Sequence, residues 1–204
     1  MLIGLDFDNT IVRYDRLFHR LAVEGGLVPA SVPATKQAVR DHLRASGRED
    51  DWSELQGVAY GPRIADAEPW PGVREFLGLC WDAGVQVAVV SHKTKHPYRG
   101  EKHDLHAAAL HFLEAHGFYD LGLSRDRVFL EPTLAEKLAR VGALRCAAFV
   151  DDLPEVLAEA AFPARVRKVL FDPANAHGAA RNVTRVTSWH ACADALIAPR
   201  EVAA

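Results

Sequence analysis

No apolar run in this chain approaches the ~20 residues that a membrane-spanning helix requires, so no membrane partner is expected. Cysteine is scarce. Cys80, Cys146 and Cys192 each sit in an apolar neighbourhood, make no disulfide framework, and suit a reducing cytoplasm. The N-terminus lacks a charged region leading into an apolar core, and acidic residues begin at position 6, so no secretory signal is expected. A strong excess of one charge is missing too. The formal net charge of −3 argues against a nucleic-acid partner, whose footprint is usually basic. Repeats and low-complexity tracts are absent. What remains is 204 residues, 49% hydrophobic and 25% charged, the balance of one ordinary domain with room for a small insertion.

Leu2-Ile3-Gly4-Leu5 is too short for a helix and reads as a buried strand that stops on Asp6-Phe7-Asp8-Asn9-Thr10. Residues 14–68 then show helical spacing, with Leu17, Phe18, Leu21 and Ala22 in one segment and Ala38, Val39 and Leu43 in the next. This block is too long for one crossover connection and predicts a small helical insertion. The main domain, expected over 1–13 and 69–204, resumes at Pro69-Trp70-Pro71-Gly72. A helix through Val73, Phe76, Leu77 and Cys80 precedes the strand Val85–Val90, which ends at Ser91-His92-Lys93. Asp104 is a plausible cap for a helix with Leu105, Ala109, Phe112 and Leu113 on its apolar side. Val128–Leu130, Cys146–Val150 and Val166–Phe171 supply three more strands, with a capping box at Thr133 and Glu136 and a closing helix from Trp189. The alternation predicts an α/β fold: a doubly wound, parallel, five-stranded sheet with helices on both faces.

In such a sheet ligands bind at the carboxyl ends of the strands. Three strands end there in capable residues: Asp6 and Asp8, then Ser91, then Asp151 and Asp152. Carboxylates gathered at buried strand ends repel one another and lose hydration, so a cation is expected among them, and Mg²⁺ suits oxygen ligands. Lys137 falls on the buried stripe of its helix, with Leu134, Leu138 and Val141, and a buried ammonium needs an anion.

These residues, Asp6-Phe7-Asp8-Asn9-Thr10, Ser91, Lys137 and Asp151-Asp152, occur in the order of the four motifs of the haloacid dehalogenase (HAD) superfamily, and over about residues 1–13 and 69–172 the chain resembles its phosphatase branch. The resemblance implies a Mg²⁺-dependent phosphomonoester hydrolase working through an aspartyl phosphate on a small organic phosphate such as a sugar phosphate or nucleotide. Asp6 would be the nucleophile and Asp8 the general acid and base. Ser91 and Lys137 would hold the phosphoryl oxygens, with Thr10, His92 and Lys93 as further phosphate contacts. Lys93 competes with Lys137 for the lysine role. The metal would be held by Asp6, Asp8 through its backbone carbonyl, Asp151 and Asp152. Glu155 has no assigned role. The same residues permit a nucleic-acid end phosphatase, phosphotransfer to an acceptor other than water, or a catalytically weak binding protein.

The resemblance makes 14–68 a small cap that selects substrate. Arg13, Arg16, Arg20 and Arg63 are candidates to read a second anionic group there. A local basic island, Lys93, Lys95, Arg99 and Lys102 with four histidines between His92 and His106, is expected to overhang the cleft, with Lys95 and Arg99 recognising the substrate. Zinc is not expected from those histidines, since no cysteine pair or HExxH pattern accompanies them.

Overall fold

The apolar runs form strands and the apolar stripes form helices. In chain order the strands are β1 (Leu2–Leu5), β2 (Val12–Arg13), β3 (Glu68–Pro69), β4 (Gln86–His92), β5 (Val128–Glu131), β6 (Ala148–Asp151), β7 (Arg167–Phe171) and β8 (Val183–Val186). The helices are α1 (Asp15–Glu24), α2 (Lys36–Ala45), α3 (Glu49–Tyr60), α4 (Val73–Asp82), α5 (Leu105–Ala115), α6 (Leu134–Ala143), α7 (Pro154–Ala158) and α8 (Trp189–Leu196). This is a computed structural model that describes residues 1–197; residues 198–204, the end of the expected main domain, lie outside the described residues. The chain divides into two units. One holds Met1–Ile11, Trp70–His92 and the chain from Gly117; the other holds Val12–Pro69 and Lys93–His116.

The first unit is an all-parallel sheet in the order β5-β4-β1-β6-β7-β8. Six strands replace the expected five. The extra strand, β8, pairs only with β7, and its half-exposed Val183-Thr184-Arg185 carries neither the alternation nor the apolar run that marks a strand in sequence. The chain builds outward from β1 through β4 to β5, then crosses to the other side of β1 for β6, so strand order reverses between β1 and β6.

Both faces of the sheet are covered. Leu170 packs with Leu138, Val141, Val156 and Leu157 of α6 and α7, while its neighbour Phe171 meets Trp189 of α8 at 5.3 Å and Trp70 at 5.4 Å between ring centroids. Successive strand residues point to opposite faces, so these are two separate layers. Gly4 keeps the centre thin: a Cβ there would lie 2.6 Å from the Phe149 ring and 3.1 Å from Cys146 Sγ.

All three cysteines are free and buried. Burial pushes the thiols of Cys80 and Cys192 up to about 12 and that of Cys146 up to about 11. Because the thiolate is the reactive form, the native protein at pH 8 is expected to leave Ellman's reagent essentially unconsumed until denaturant is added. Rapid reaction of even one thiol in the folded state would contradict the burial.

In the second unit, α1 presents Leu17, Phe18, Leu21 and Ala22, and Thr35 caps α2 by accepting the Ala38 N–H at 3.1 Å. Phe18 lies 5.0 Å from Trp52 and 5.6 Å from Tyr60, whose ring meets Tyr14 at 4.9 Å. β2 and β3 pair antiparallel, Val12 opposite Pro69, where the chain enters and leaves this block. Residues 93–116, expected in the main domain, belong to this unit. Gly57 and Gly61 of the α3 region lack the Cβ atoms that would crowd Pro97 at 3.0 Å and His103 at 2.9 Å, and α5 packs against α3 and the turn Ile64–Asp66. Among the described residues no helix is long and apolar enough to cross a membrane.

Candidate active site

Parallel pairing sets Leu5 opposite Val150, and the Asp6 N–H donates to the Val150 carbonyl at 2.9 Å, extending the ladder one residue beyond β1. Asp6 therefore comes level with Asp151, the last residue of β6. This is the carboxyl end of the sheet at the point where strand order reverses, the place where α/β sheets bind ligands. The chain then turns away. Asn9 takes a left-handed conformation, φ 60°, and the Ile11 N–H donates to the Phe7 carbonyl at 3.0 Å. The turn brings Thr10, fully buried, to Asp152: the hydroxyl donates to Oδ1 at 3.3 Å.

Lys137 meets Asp6 and Asp151 together. Its Nζ lies 2.7 Å from Asp6 Oδ1 and 2.6 Å from Asp151 Oδ2, and its side chain is 3% exposed. The helix that carries it is held at its start by Thr133, whose hydroxyl accepts the Glu136 N–H at 3.2 Å and donates to the Glu136 carboxylate at 2.7 Å. Burial alone would favour the neutral amine, but the two carboxylates outweigh it and hold Lys137 charged, above the usual lysine range. Asp151 is instead pushed toward its neutral form. Burial first, and then the charge of Asp6, push its carboxyl upward despite the lysine and the Leu153 N–H that donates to Oδ1 at 2.9 Å.

Beside burial, the charges are mismatched. Asp6, Asp151 and Asp152 offer oxygens that all lie within 4.8 Å of one another, and one ammonium bonds two of these carboxylates. Excess negative charge in a buried place calls for a second cation. Carboxylate oxygens without histidine or thiolate donors fit a hard divalent ion of the Mg²⁺ or Ca²⁺ kind. The Asp8 carboxylate is not in this group, which leaves its backbone carbonyl as the contribution expected from the sequence.

The other expected residues divide. Ser91 is buried near the end of β4, and His92, next to it in the strand, is exposed and on the opposite face, which counts against a joint phosphate contact. Lys93 is buried in the second unit with its Nζ 4.9 Å from the Tyr60 ring centroid, and its carbonyl accepts from His106 Nε2 at 2.8 Å. Thr10 bonds a carboxylate, which gives it a supporting place beside Asp152. The basic residues of the second unit face acidic ones: Arg13 lies 4.0 Å from Asp15, Lys95 3.9 Å from Asp104, and Arg99 2.8 Å from Asp50. The basic island is thus a mixed-charge surface. Glu155 is exposed and outside the clustered carboxylates, and among the described residues no histidine joins a metal-ligating group.

Trp70 was missed in the sequence. Its indole N–H donates to the Asn9 carbonyl at 2.6 Å and its backbone N–H to the Ile11 carbonyl at 2.8 Å. A tryptophan bonding to main-chain oxygens leaves no pattern in sequence.

No protein-family model matches the sequence, and no curated protein matches it. Solved structures do. A HAD family hydrolase from Deinococcus radiodurans, solved with bound phosphate and sodium, is similar at a TM-score of 0.57 and 18% identity, over 96% of this chain and 94% of its own. A HAD-superfamily hydrolase of subfamily IA from Geobacter sulfurreducens gives 0.57 at 13% identity, over 96% and 95% of the two chains. A HAD phosphatase from Thermococcus onnurineus gives 0.52 at 14%, over 98% and 99%. Identities this low speak for architecture and leave the chemistry to the residues. The chain has the fold of the HAD-superfamily hydrolases.

Proposed function

We propose that the protein is a Mg²⁺-dependent phosphomonoester hydrolase acting on a small organic phosphate, a sugar phosphate or nucleotide. The observation that carries this is the buried Lys137 shared between Asp6 and Asp151, beside Asp152, at the reversal of strand order. A phosphate monoester is dianionic, and an anionic nucleophile approaches it only where that charge is offset. Asp6 attacks phosphorus through a carboxylate oxygen; the ester P–O bond breaks, and an aspartyl phosphate forms. Asp8 gives its proton to the leaving oxygen, then takes one from the water that attacks the aspartyl phosphate and returns Asp6 free. Lys137 and the Ser91 hydroxyl hold phosphoryl oxygens. Asp6, Asp151, Asp152 and the Asp8 carbonyl would hold Mg²⁺, which supplies positive charge against the phosphoryl group.

Asp8 favours phosphoryl transfer over dehalogenation, which has no leaving oxygen to protonate. Substrate choice is assigned to the second unit, and the three buried, free thiols support work in the reducing cytoplasm. The test is phosphate release from a panel of phosphomonoesters. Turnover is expected with Mg²⁺ and none with EDTA. Undiminished turnover in EDTA would overturn the metal dependence, and no turnover of any ester would overturn the activity.

A further inference from the structure

The chain leaves β1 through a turn in which the Ile11 N–H donates to the Phe7 carbonyl at 3.0 Å. At Asn9 the backbone is left-handed without being glycine, a conformation that costs energy unless its surroundings hold it. What holds it is Trp70. The indole N–H at 2.6 Å from the Asn9 carbonyl fixes the peptide between Asn9 and Thr10, and the Trp70 N–H at 2.8 Å from the Ile11 carbonyl fixes the chain one residue beyond Thr10. Thr10 is thus clamped before and after. Its hydroxyl is 3.3 Å from Asp152 Oδ1, and Asp152 belongs to the carboxylate cluster. Trp70 is itself braced by the ring of Phe171 at the end of β7, 5.4 Å away.

We infer that Trp70 is a positioning residue for the metal site, acting through the Asn9–Thr10 peptide and the Thr10 hydroxyl to set the angle of the Asp152 carboxylate. The inference rests on the proposed Mg²⁺-dependent reading. Hydrogen bonds behind metal ligands orient them, and losing one typically weakens metal affinity by about 10–100-fold. The indole is suited to this task because it is a pure donor on a rigid plate, matched to a carbonyl that can only accept.

The experiment is calorimetric titration of the substrate-free protein with Mg²⁺, beside thermal melts, for wild type, Trp70→Phe, Thr10→Val, Thr10→Ser and Phe171→Leu. Trp70→Phe keeps a ring against Phe171 and removes the indole N–H together with part of the ring volume, whose cost to the fold the melts report. The expected result is that Trp70→Phe and Thr10→Val each raise the Mg²⁺ Kd about tenfold, and that Thr10→Ser recovers most of what Thr10→Val loses. Phe171→Leu is expected to lower Tm while shifting the Kd less than about twofold, which separates bracing of the fold from aiming of the carboxylate. Wild-type affinity in either Trp70→Phe or Thr10→Val would overturn the inference and leave the hydrolase reading standing. If Trp70→Phe does not fold, Trp70→Tyr and Trp70→Met, which also lack the indole N–H, take its place with the same expected rise in Kd. A wild-type protein that binds no Mg²⁺ would overturn both together.

Discussion

Lys137→Met lowers Tm by roughly 6–20 °C and reduces turnover at least about 100-fold. The ammonium bonds Asp6 at 2.7 Å and Asp151 at 2.6 Å, and methionine fills much of the same volume without charge. Removing one partner from a buried ion pair costs about 3–5 kcal/mol, because what remains is an uncompensated charge. In a chain of this size each kcal/mol is worth about 2–4 °C. The carboxylates left behind are 7% and 0% exposed in their side chains, so water cannot take over from the lysine. Loss of an electrostatic donor from a phosphoryl site accounts for the rate. A melt within about 2 °C of wild type would show that the pair is not the keystone its geometry implies.

Asp6→Asn separates the two effects. Turnover falls by on the order of 10⁴ or more, the scale for loss of a covalent nucleophile. The fold, however, is relieved. With Asp6 neutral, Lys137 and Asp151 remain as a matched pair, and of the two causes that push the Asp151 carboxyl upward, burial first and the Asp6 charge second, only burial is left. The sign for stability follows from proton binding. A carboxyl whose folded pKa lies above its unfolded value holds more protons when folded, so stability is full below the unfolded value and declines as pH rises through the folded one. Metal-free wild type is therefore expected to lose Tm as pH climbs from the ordinary carboxylate range toward neutrality and beyond. Asp6→Asn loses less over that range. Equal slopes in EDTA for the two proteins would contradict a share of the upward shift for the Asp6 charge.

Much of this was legible in the sequence. The apolar runs at Leu2–Leu5, Val85–Val90 and Cys146–Val150 became β1, β4 and β6, because a strand covered on both faces must be largely apolar. The Thr133 and Glu136 box and the Asp104 cap depend on contacts three residues apart, and both formed. Lys137 could be read because its helical position put it on the buried stripe, and a buried ammonium announces an anion.

What was not legible depends on residues distant in the chain. Arg99 finds Asp50 at 2.8 Å and Glu54 at 3.7 Å, so a stretch that looks basic locally is neutralised by a helix some fifty residues earlier. Residues 93–116 join the second unit through Gly57 and Gly61, whose importance lies in side chains they lack. β8 takes its strand identity from hydrogen bonds with β7 and not from its own pattern. Thr10 fits a turn residue in sequence, yet its hydroxyl goes to a carboxylate 142 positions away.

On the proposed mechanism, Asp6 is phosphorylated during turnover. The direct measurement is a rapid acid quench of the enzyme with a radiolabelled phosphomonoester, followed by proteolysis and location of the label. The expected result is a hydroxylamine-labile label on the peptide that contains Asp6, formed with Mg²⁺ and absent from Asp6→Asn. Turnover at the full rate with label on another residue, or turnover retained by Asp6→Asn, would contradict it.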